Sequence, residues 1–477
     1  MDLHLTTQSA AACQALGAAF AAAGHTLFLV GGAVRDRLLG RGESGDFDFT
    51  TSAPAADIPR ISRALARACY DKSPAKGYGT HGVILKSGPE VEITPYRDWA
   101  AFATAARADQ AGAPPGALTL ETDLFGRDFT INAMAVDVSP DRFGALVDPC
   151  GGAADLATRR IRTPVDPART FADDPLRLVR AVRLAAALNF SIEQQTLACA
   201  RALAAAGALG RTAPERVREE LFRMLTLPAP SHAITLLRDT GLLAVILPEV
   251  QALALLTPDP DTHHKDNFLH TLRVLDSVAG AGPACEDPAV RFAALVHDIG
   301  KPAARRLDNG LYSFADHDKI GAELADALCE RLRFSNVQRA RTVRLVRLHH
   351  RLHPYTGEWT DAAVRRAVNE LGPDLDAVLA LSRADITSSD PDKVAARRAA
   401  LDQFENRVQG LDRAAIMNPK PPLDGLEIMR LLGLDAGGPE VGRAVQFLKD
   451  QIVTGTLDAH DADTARRMVL NREWTQA

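Results

Sequence analysis

Two carboxylates one residue apart, in the run Asp46-Phe47-Asp48, have a type and spacing that could do chemistry. Alternate side chains of a strand share a face, so both would point the same way. Such a pair can hold two Mg2+ ions roughly 3.5–4 Å apart, which activates an attacking hydroxyl and clamps a leaving pyrophosphate. Upstream, Leu27-Phe28-Leu29-Val30 reads as a buried strand that Gly31-Gly32 ends, before Val34 to Leu39 turns helical. N–H groups exposed at a helix start attract anions, glycine lets a phosphate come close, and Arg35 adds a charged fork. A turn followed by a solvated strand face would use the same residues, so motifs this short leave both readings open.

Three further groups carry the same ambiguity. In Gly126-Arg127-Asp128-Phe129-Thr130-Ile131, the pair Arg127 and Asp128 enters an apolar segment, as a surface ion pair also would. Asp173-Asp174-Pro175-Leu176-Arg177, with Arg180 and Arg183 behind, predicts an amphipathic helix from Asp173 to Leu188. Asp174 and Arg177 would then share a face, as in an ordinary salt bridge of a capped helix. The third group is His270, His297-Asp298, His317, His349-His350 and Asp385. If His270 and Asp385 close the far side, His297 and Asp298 can reach one ion, and mixed imidazole and carboxylate donors suit Mn, Fe, Ni, Co or Zn. A lone histidine is more often a core or surface residue.

The elements that must position these groups follow from composition and pattern. At 477 residues the chain is too long for one core, and 46% hydrophobic with 24% charged residues excludes a largely disordered protein. A net charge of −5 excludes a uniformly basic nucleic-acid coater, though not a basic cleft on an acidic body. The 6 cysteines are scattered without a CxxC pair, so neither a zinc ribbon nor a disulfide framework is expected. No signal-peptide pattern and no membrane-spanning apolar run occurs, and a soluble, cytoplasmic protein is expected. The first third alternates helix and strand. Ala10 to Ala23 is helical, Asp46 to Thr50 looks like an edge-accessible strand, and Val83 to Leu85 and Val91 to Thr94 continue the strand pattern. Trp99 to Leu118, rich in Ala, Gly and Pro, predicts a mobile loop. After Asp148-Pro149 the pattern is helical nearly to the end. Thr212-x-x-Glu215 reads as a capping box, Thr257 to Asp261 as a linker, and Asp390-Pro391-Asp392 and Asn418 to Pro422 as further breaks.

Together, LFLVGGAVRD, DFD, VEITPYR, GRDFTINAMA, LVDPCGGAADL, DDPLRLVRAVR and PERVREEL resemble, in order, the class II tRNA nucleotidyltransferases. These are the CCA-adding enzymes and the bacterial poly(A) polymerases, and the likeness runs from Leu27 to Leu225. It implies an α+β chain: a polymerase-β-type head with a small mixed sheet over 1–150, then a helical neck and body bearing the base-selecting template over 151–257. The histidine-rich stretch is similar to the HD phosphohydrolases, implying an HD domain over 258–390 and a helical tail over 391–477.

Carried over by position, Asp46 and Asp48 are implied as catalytic Mg2+ ligands, and Gly31, Gly32 and Arg35 as triphosphate contacts. Arg127 and Asp128 would meet the incoming sugar. Asp174 and Arg177, with Arg180 and Arg183 close by, would form the amino-acid template for the base, steadied by Glu215 and Arg216. His270, His297, Asp298, His317, His349 and Asp385 would hold a divalent transition metal. The implied partners are the tRNA 3′ end, CTP and ATP, and the implied reaction is CCA addition without a nucleic-acid template. The HD domain implies phosphohydrolysis of RNA ends. Arg211, Arg216, Arg218 and Arg223 form a candidate basic strip for tRNA, or a solvated helix face.

Three departures bear on this. Gly126 stands where the family usually has a first arginine, Asp173 stands where it has glutamate, and the loop from Trp99 to Leu118 lacks the usual Asp-Gly-Arg stretch. That loop helps the family switch from CTP to ATP, and some bacteria divide the task between CC-adding and A-adding enzymes. A CC-adding-only enzyme is therefore the nearest alternative. A poly(A) polymerase, or an RNA phosphohydrolase with an RNA-binding head, ranks below it.

Overall fold

Leu27–Val30 (β1) is buried along its whole length, as an apolar run without alternation requires. It is one strand of a seven-stranded sheet in a computed structural model that describes residues 6–42, 47–72, 79–97, 118–256, 266–308, 311–386 and 390–475. The others are Phe47–Thr51 (β2), Ala66–Asp71 (β3), His81–Leu85 (β4), Glu90–Pro95 (β5), Ala135–Asp137 (β6) and Leu146–Val147 (β7). Their order is β3-β4-β5-β2-β1-β6-β7, with β2 and β5 parallel and the remaining pairs antiparallel. The mixed α+β head implied by the motifs is present. Contacts divide the chain into two units, Met1–Met224 with His232–Ile246, and Leu225–Ser231 with Leu247–Ala477.

The position of β2 differs from the expected edge strand, since it lies between β5 and β1. Its polar residue is accommodated because Asp48 alone in β2 is exposed, while Phe47, Phe49, Thr50 and Thr51 are buried. Register sets Asp48 opposite Val30 on one side and Glu92 on the other. The strand therefore delivers its carboxylate next to the end of β1, where the glycines begin.

Helix Thr7–Ala22 (α1) buries Leu16 and Phe20 completely. Gly32–Leu38 (α2) follows β1 directly, and Leu120–Phe125 (α3) packs Leu120 and Leu124 into a cluster with Phe28, Val30, Tyr96 and Ala135. Full burial of a leucine such as Leu124 contributes about 1.5–3 kcal/mol, enough to fix the segment that Arg127 and Asp128 leave.

The helix expected from Asp173 to Leu188 is two helices, Pro167–Asp173 (α4) and Leu176–Leu188 (α5). Between them Asp174 is extended, with φ −148 and ψ 103. A proline ring clashes with the preceding residue in the helical region, so Pro175 forces this break. The capping box is absent as well. Pro214–Leu225 (α6) forms, but the Thr212 hydroxyl is buried without a hydrogen bond. Asp46, most of the Trp99 to Leu118 stretch and the Thr257 to Asp261 linker lie outside the described residues.

Among its described residues the second unit is helical apart from two short antiparallel strands, Arg306–Asp308 and Leu311–Ser313. The helices that matter below are Asn267–Ala279 (α7), Pro288–Val296 (α8), His317–Arg331 (α9), Asn336–Leu348 (α10) and Leu375–Ala384 (α11). Asp390 caps the next helix, Pro391–Gln409 (α12), through Asp392 and Lys393 N–H. The tail has its own core, built from Leu423, Ile428, Ala444, Leu448, Ile452 and Trp474. Among the described residues no helix is long and apolar enough to cross a membrane.

Candidate functional site

The first unit holds a cleft of about 740 Å³ whose lining includes Gly31, Gly32, Asp48, Glu92, Arg127, Asp128, Asp174, Arg177, Arg180 and Arg216. Its floor is the β1–α2 turn. Gly31 has φ +73, and a Cβ there would lie 3.6 Å from Arg127 Nη1 and 3.7 Å from Asp48 Oδ2. Glycine thus supplies a left-handed turn and leaves the space between a cation and a carboxylate open. Asp48 and Glu92, paired in register on parallel strands, both line the cleft. Carboxylates facing open space suit a hard divalent cation such as Mg2+.

One wall is set by buried polar pairs. Asp123, 2% exposed, accepts from Arg127 Nη2 at 3.0 Å and from Arg97 N–H at 3.3 Å. Asp128 accepts from Phe129 N–H at 2.8 Å, Asn132 Nδ2 at 3.0 Å and Arg180 Nε at 2.9 Å. Burial works to raise the Asp128 carboxyl, but the Arg180 charge and the Asn132 and Arg180 hydrogen bonds outweigh it and hold it well below the carboxylate range.

A further part of the lining comes from α5 and α6, and α5 meets the Asp128 segment directly. Arg177 is 6% exposed and donates to Gly126 O at 2.7 Å and Thr170 O at 3.3 Å. Asp174 accepts Leu176 N–H at 3.1 Å and a fork from Arg216 at 2.7 and 3.3 Å. Extended Asp174 therefore meets Arg216 rather than forming the helical pair expected with Arg177. Arg183 turns to Glu220, which is 3% exposed and also accepts from Arg223 at 3.1 Å. Arg35 stands apart from the cleft lining. Its fork closes on Asp36 at 2.8 and 2.9 Å, and Nη1 donates to Asn132 Oδ1 at 2.8 Å. Glu92, Asp123, Asn132 and Glu220 were not singled out from the sequence. Glu92 was legible, because Val91 and Ile93 alternate with it in VEITPYR; Glu220 was hinted at by Arg223 three residues on.

The second unit gathers the histidines at helix ends. His297 and His349 are the residues that close α8 and α10, His317 opens α9, Asp385 closes α11, and His270 lies in the first turn of α7. A Cβ on Gly300 would sit 2.1 Å from His317 O, so glycine allows the turn after His297-Asp298 to meet the start of α9. Donor atoms of His270, His297 and Asp385 lie within 4.8 Å of one another, and so do those of His317, His349 and His350. Asp298 stands between them, with Oδ2 3.4 Å from His270 and 3.2 Å from His297, and Oδ1 3.4 Å from His317. Sequence spacing suggested one ion site; the folded chain offers two adjacent donor groups.

Nδ1 of His297, His317 and His349 lies 2.8, 2.7 and 2.6 Å from the carbonyl oxygens of Ala294, Phe314 and Val346. A carbonyl only accepts, so each Nδ1 carries a proton, and Nε2 is the ring atom left to face a metal. Those three Nε2 atoms and Asp298 Oδ1 are buried without a hydrogen bond. Buried polar atoms left unpaired are costly, and divalent transition ions fit this donor set. Burial works to raise Asp298 as well, yet the His297 and Lys301 charges hold it well below the usual range.

Three family models match the chain: the poly(A) polymerase head domain over residues 27–162, a probable RNA- and SrmB-binding site of polymerase A over 189–253, and the HD domain over 267–390. The A-adding tRNA nucleotidyltransferase of Deinococcus radiodurans is 35% identical over 437 residues, 90% of this chain and 91% of that protein. The multifunctional CCA protein of Cupriavidus metallidurans is 36% identical over 364 residues, 72% of this chain and 78% of that one. Among solved structures, the Bacillus stearothermophilus CCA-adding enzyme in complex with CTP shares the fold at a TM-score of 0.68 and 23% identity, covering 99% of both chains. The Thermotoga maritima CCA-adding enzyme complexed with tRNA does so at 0.61 and 19%, covering 98% of this chain and 96% of that one. With such identity sustained over nine-tenths of its length, the chain belongs to the class II tRNA nucleotidyltransferases that carry an HD domain.

Proposed function

We propose that the protein adds C, C and A from CTP and ATP to the 3′ end of tRNA, in the cytoplasm and without a nucleic-acid template. The observation that carries the reading is the single cleft in which Asp48, the Gly31 turn, Arg127 and the α5 arginines converge. Residues 1–150 would serve as the head, 151–257 as neck and body, 258–390 as the HD domain and 391–477 as the tail.

Asp46 and Asp48 would hold Mg2+, which when bound activates the terminal ribose hydroxyl and neutralises the departing pyrophosphate. The remaining work is binding and orientation. The Gly31-Gly32 turn admits the triphosphate, and Arg127, steadied by Asp123, meets the nucleotide beside it. Asp174 is aimed by Leu176 N–H and Arg216, and its carboxylate takes the exocyclic amino group of cytosine or adenine. Guanidinium donors of α5 meet the ring acceptor next to that amino group. Uracil and guanine place a carbonyl oxygen there, setting acceptor against acceptor, and a site built on polar pairs rejects such bases strongly. Arg35, joined to Asp36 and Asn132, would reach the triphosphate only by leaving that fork.

A second reading, A addition alone, is favoured by the Deinococcus relative that spans most of the chain. Incorporation on transcripts ending at the discriminator base, after one C and after two C separates these readings. CTP and ATP together should complete CCA and stop. Extension of the CC-ended transcript alone would mark an A-adding enzyme, a halt after two C a CC-adding one, and no incorporation would sink the assignment.

For the second unit we propose metal-dependent phosphohydrolysis of RNA ends, with His270, His297, Asp298 and Asp385 holding one divalent ion and His317, His349 and His350 a second. A bound ion there would polarise a phosphoryl oxygen. Hydrolysis of a 2′,3′-cyclic nucleotide after loading with Ni2+, Co2+ or Mn2+ tests this, and activity unchanged in His297→Ala would refute it.

A further inference from the structure

Beside the histidine centre, the strands Arg306–Asp308 and Leu311–Ser313 pair only with each other among the described residues, and Leu307 stands opposite Tyr312. Directly opposite residues share a face, and so do residues two apart along an extended chain. Arg305 is extended, with φ −60 and ψ 120. Arg305, Leu307 and Tyr312 therefore share one face of the pair, and Phe314 follows two residues after Tyr312. The guanidinium carbon of Arg305 lies 3.7 Å from the centre of the Tyr312 ring, a stacking distance. Leu307 is 61% exposed. Two strands by themselves are marginally stable in water, so an apolar face on them gains from a partner.

The position of this face and its charges select the partner. Before the first strand, Lys301 Nζ lies 2.5 Å from Asp298 Oδ2 and 6.0 Å from the centre of the Phe314 ring. After the second strand, Phe314 O accepts from His317 Nδ1 at 2.7 Å. Both ends of the strand pair are thus tied to the candidate ion ligands. A group resting on the face would lie next to the ion site, with Arg305 and Lys301 as cations nearby. One leucine and one tyrosine are too small a patch for a stable protein interface. They suit a single planar group, and bases at unpaired RNA ends stack on aromatic rings and on guanidinium planes. A phosphate attached to that base would find the cations and the ion site beside it.

We propose that this face is a nucleobase subsite of the histidine centre: the base stacks against the Arg305–Tyr312 pair, with Leu307 at its edge, while its phosphate reaches the ions. The inference rests on the phosphohydrolase reading above and adds what that centre recognises, a phosphate carried by a nucleoside instead of any phosphate ester.

Two measurements test it. The first compares hydrolysis of uridine 2′,3′-cyclic phosphate with that of glycerol 1,2-cyclic phosphate, which has the same cyclic diester and no base. The ratio of their kcat/KM values should fall about five- to a hundredfold in Tyr312→Ala and in Arg305→Ala, chiefly through KM for the nucleotide, and Tyr312→Phe should keep it. A ratio unchanged in both alanine variants would overturn the proposal, as would a wild-type protein that does not prefer the nucleotide. The second measurement needs no metal and no turnover. Chelator-treated protein is irradiated with 4-thiouridine 3′-phosphate, a base that the head cleft is read as rejecting, and the adduct is mapped by proteolysis. An adduct within residues 301–314 that Tyr312→Ala removes is expected, and an adduct only elsewhere, or none, would overturn the subsite. Wild-type protein that hydrolyses neither ester would refute the phosphohydrolase reading, and the crosslink would still decide whether the face binds a base.

Discussion

The two chemical centres of this chain balance their charges in opposite ways. In and beside the head cleft the buried acids are already paired: Asp128 with Arg180 and Asp123 with Arg127 in its lining, and Glu220 with Arg183 and Arg223 behind it. In the histidine centre three imidazole Nε2 atoms and one carboxylate oxygen are buried without a hydrogen bond. A cleft for a large, varied ligand needs walls whose geometry exists beforehand, and protein pairs supply it. A centre for an ion must keep its lone pairs uncommitted, because the ion is the missing partner. Pairing thus distinguishes a preformed polar wall from a ligand set.

Asp48→Ala tests the contrast most severely. It should lower nucleotide incorporation by about a thousandfold or more, because a metal ligand contributes several kcal/mol of transition-state stabilisation. Hydrolysis by the second unit should be unchanged, and parallel loss of both activities would show the centres to be dependent.

Metal removal probes the other side. Dialysis against a chelator, followed by Mg2+ alone, should abolish phosphohydrolysis and leave incorporation intact. It should also lower the melting temperature of the second unit, since an ion at a hundred times its Kd stabilises by about 2.7 kcal/mol. Scanning calorimetry with and without added Ni2+ reads that shift, and an unchanged transition would contradict an ion site there.

A smaller effect is expected from Gly31→Ala. At φ +73 a Cβ costs about 1–2 kcal/mol, and it narrows the gap between Arg127 and Asp48. Incorporation should fall roughly ten- to a hundredfold through KM for the triphosphate, and the melting temperature should drop by a few degrees, to about the extent that the strain costs stability.

The smallest effect is in acid. The Asp128 carboxyl is held below its unfolded value, so its contribution is complete above about pH 3.9 and is lost as pH falls towards its folded value. Denaturant melts of wild type and Asp128→Asn should converge as pH drops through that window. A constant difference between them would place the pairing elsewhere.

Particular residues mark how far the sequence could be read. Leu27–Val30 was legible as a strand because a fully buried strand is uniformly apolar, and Gly31 because only a turn needs two glycines there. Asp174 was placed in a helix although Pro175, one residue on, already forbade it. Thr212 matched a capping box in letters, but its hydroxyl is buried away from the helix N–H groups. β2 looked like an edge strand because alternation reports exposure of a face and not the number of neighbours.

Order and type of the reactive residues are properties of the chain alone, which is why the acids of β2, the arginines of α5 and the spaced histidines could be named from spacing. Pairing is not such a property. That Asp128 would saturate itself with Phe129, Asn132 and Arg180, and that the histidines would sort into two groups around Asp298, depended on partners up to 52 and 115 residues apart in sequence. Hydrogen bonds and lone pairs act over about 3 Å, so only the folded backbone could decide which acid met a cation and which donors were left for an ion.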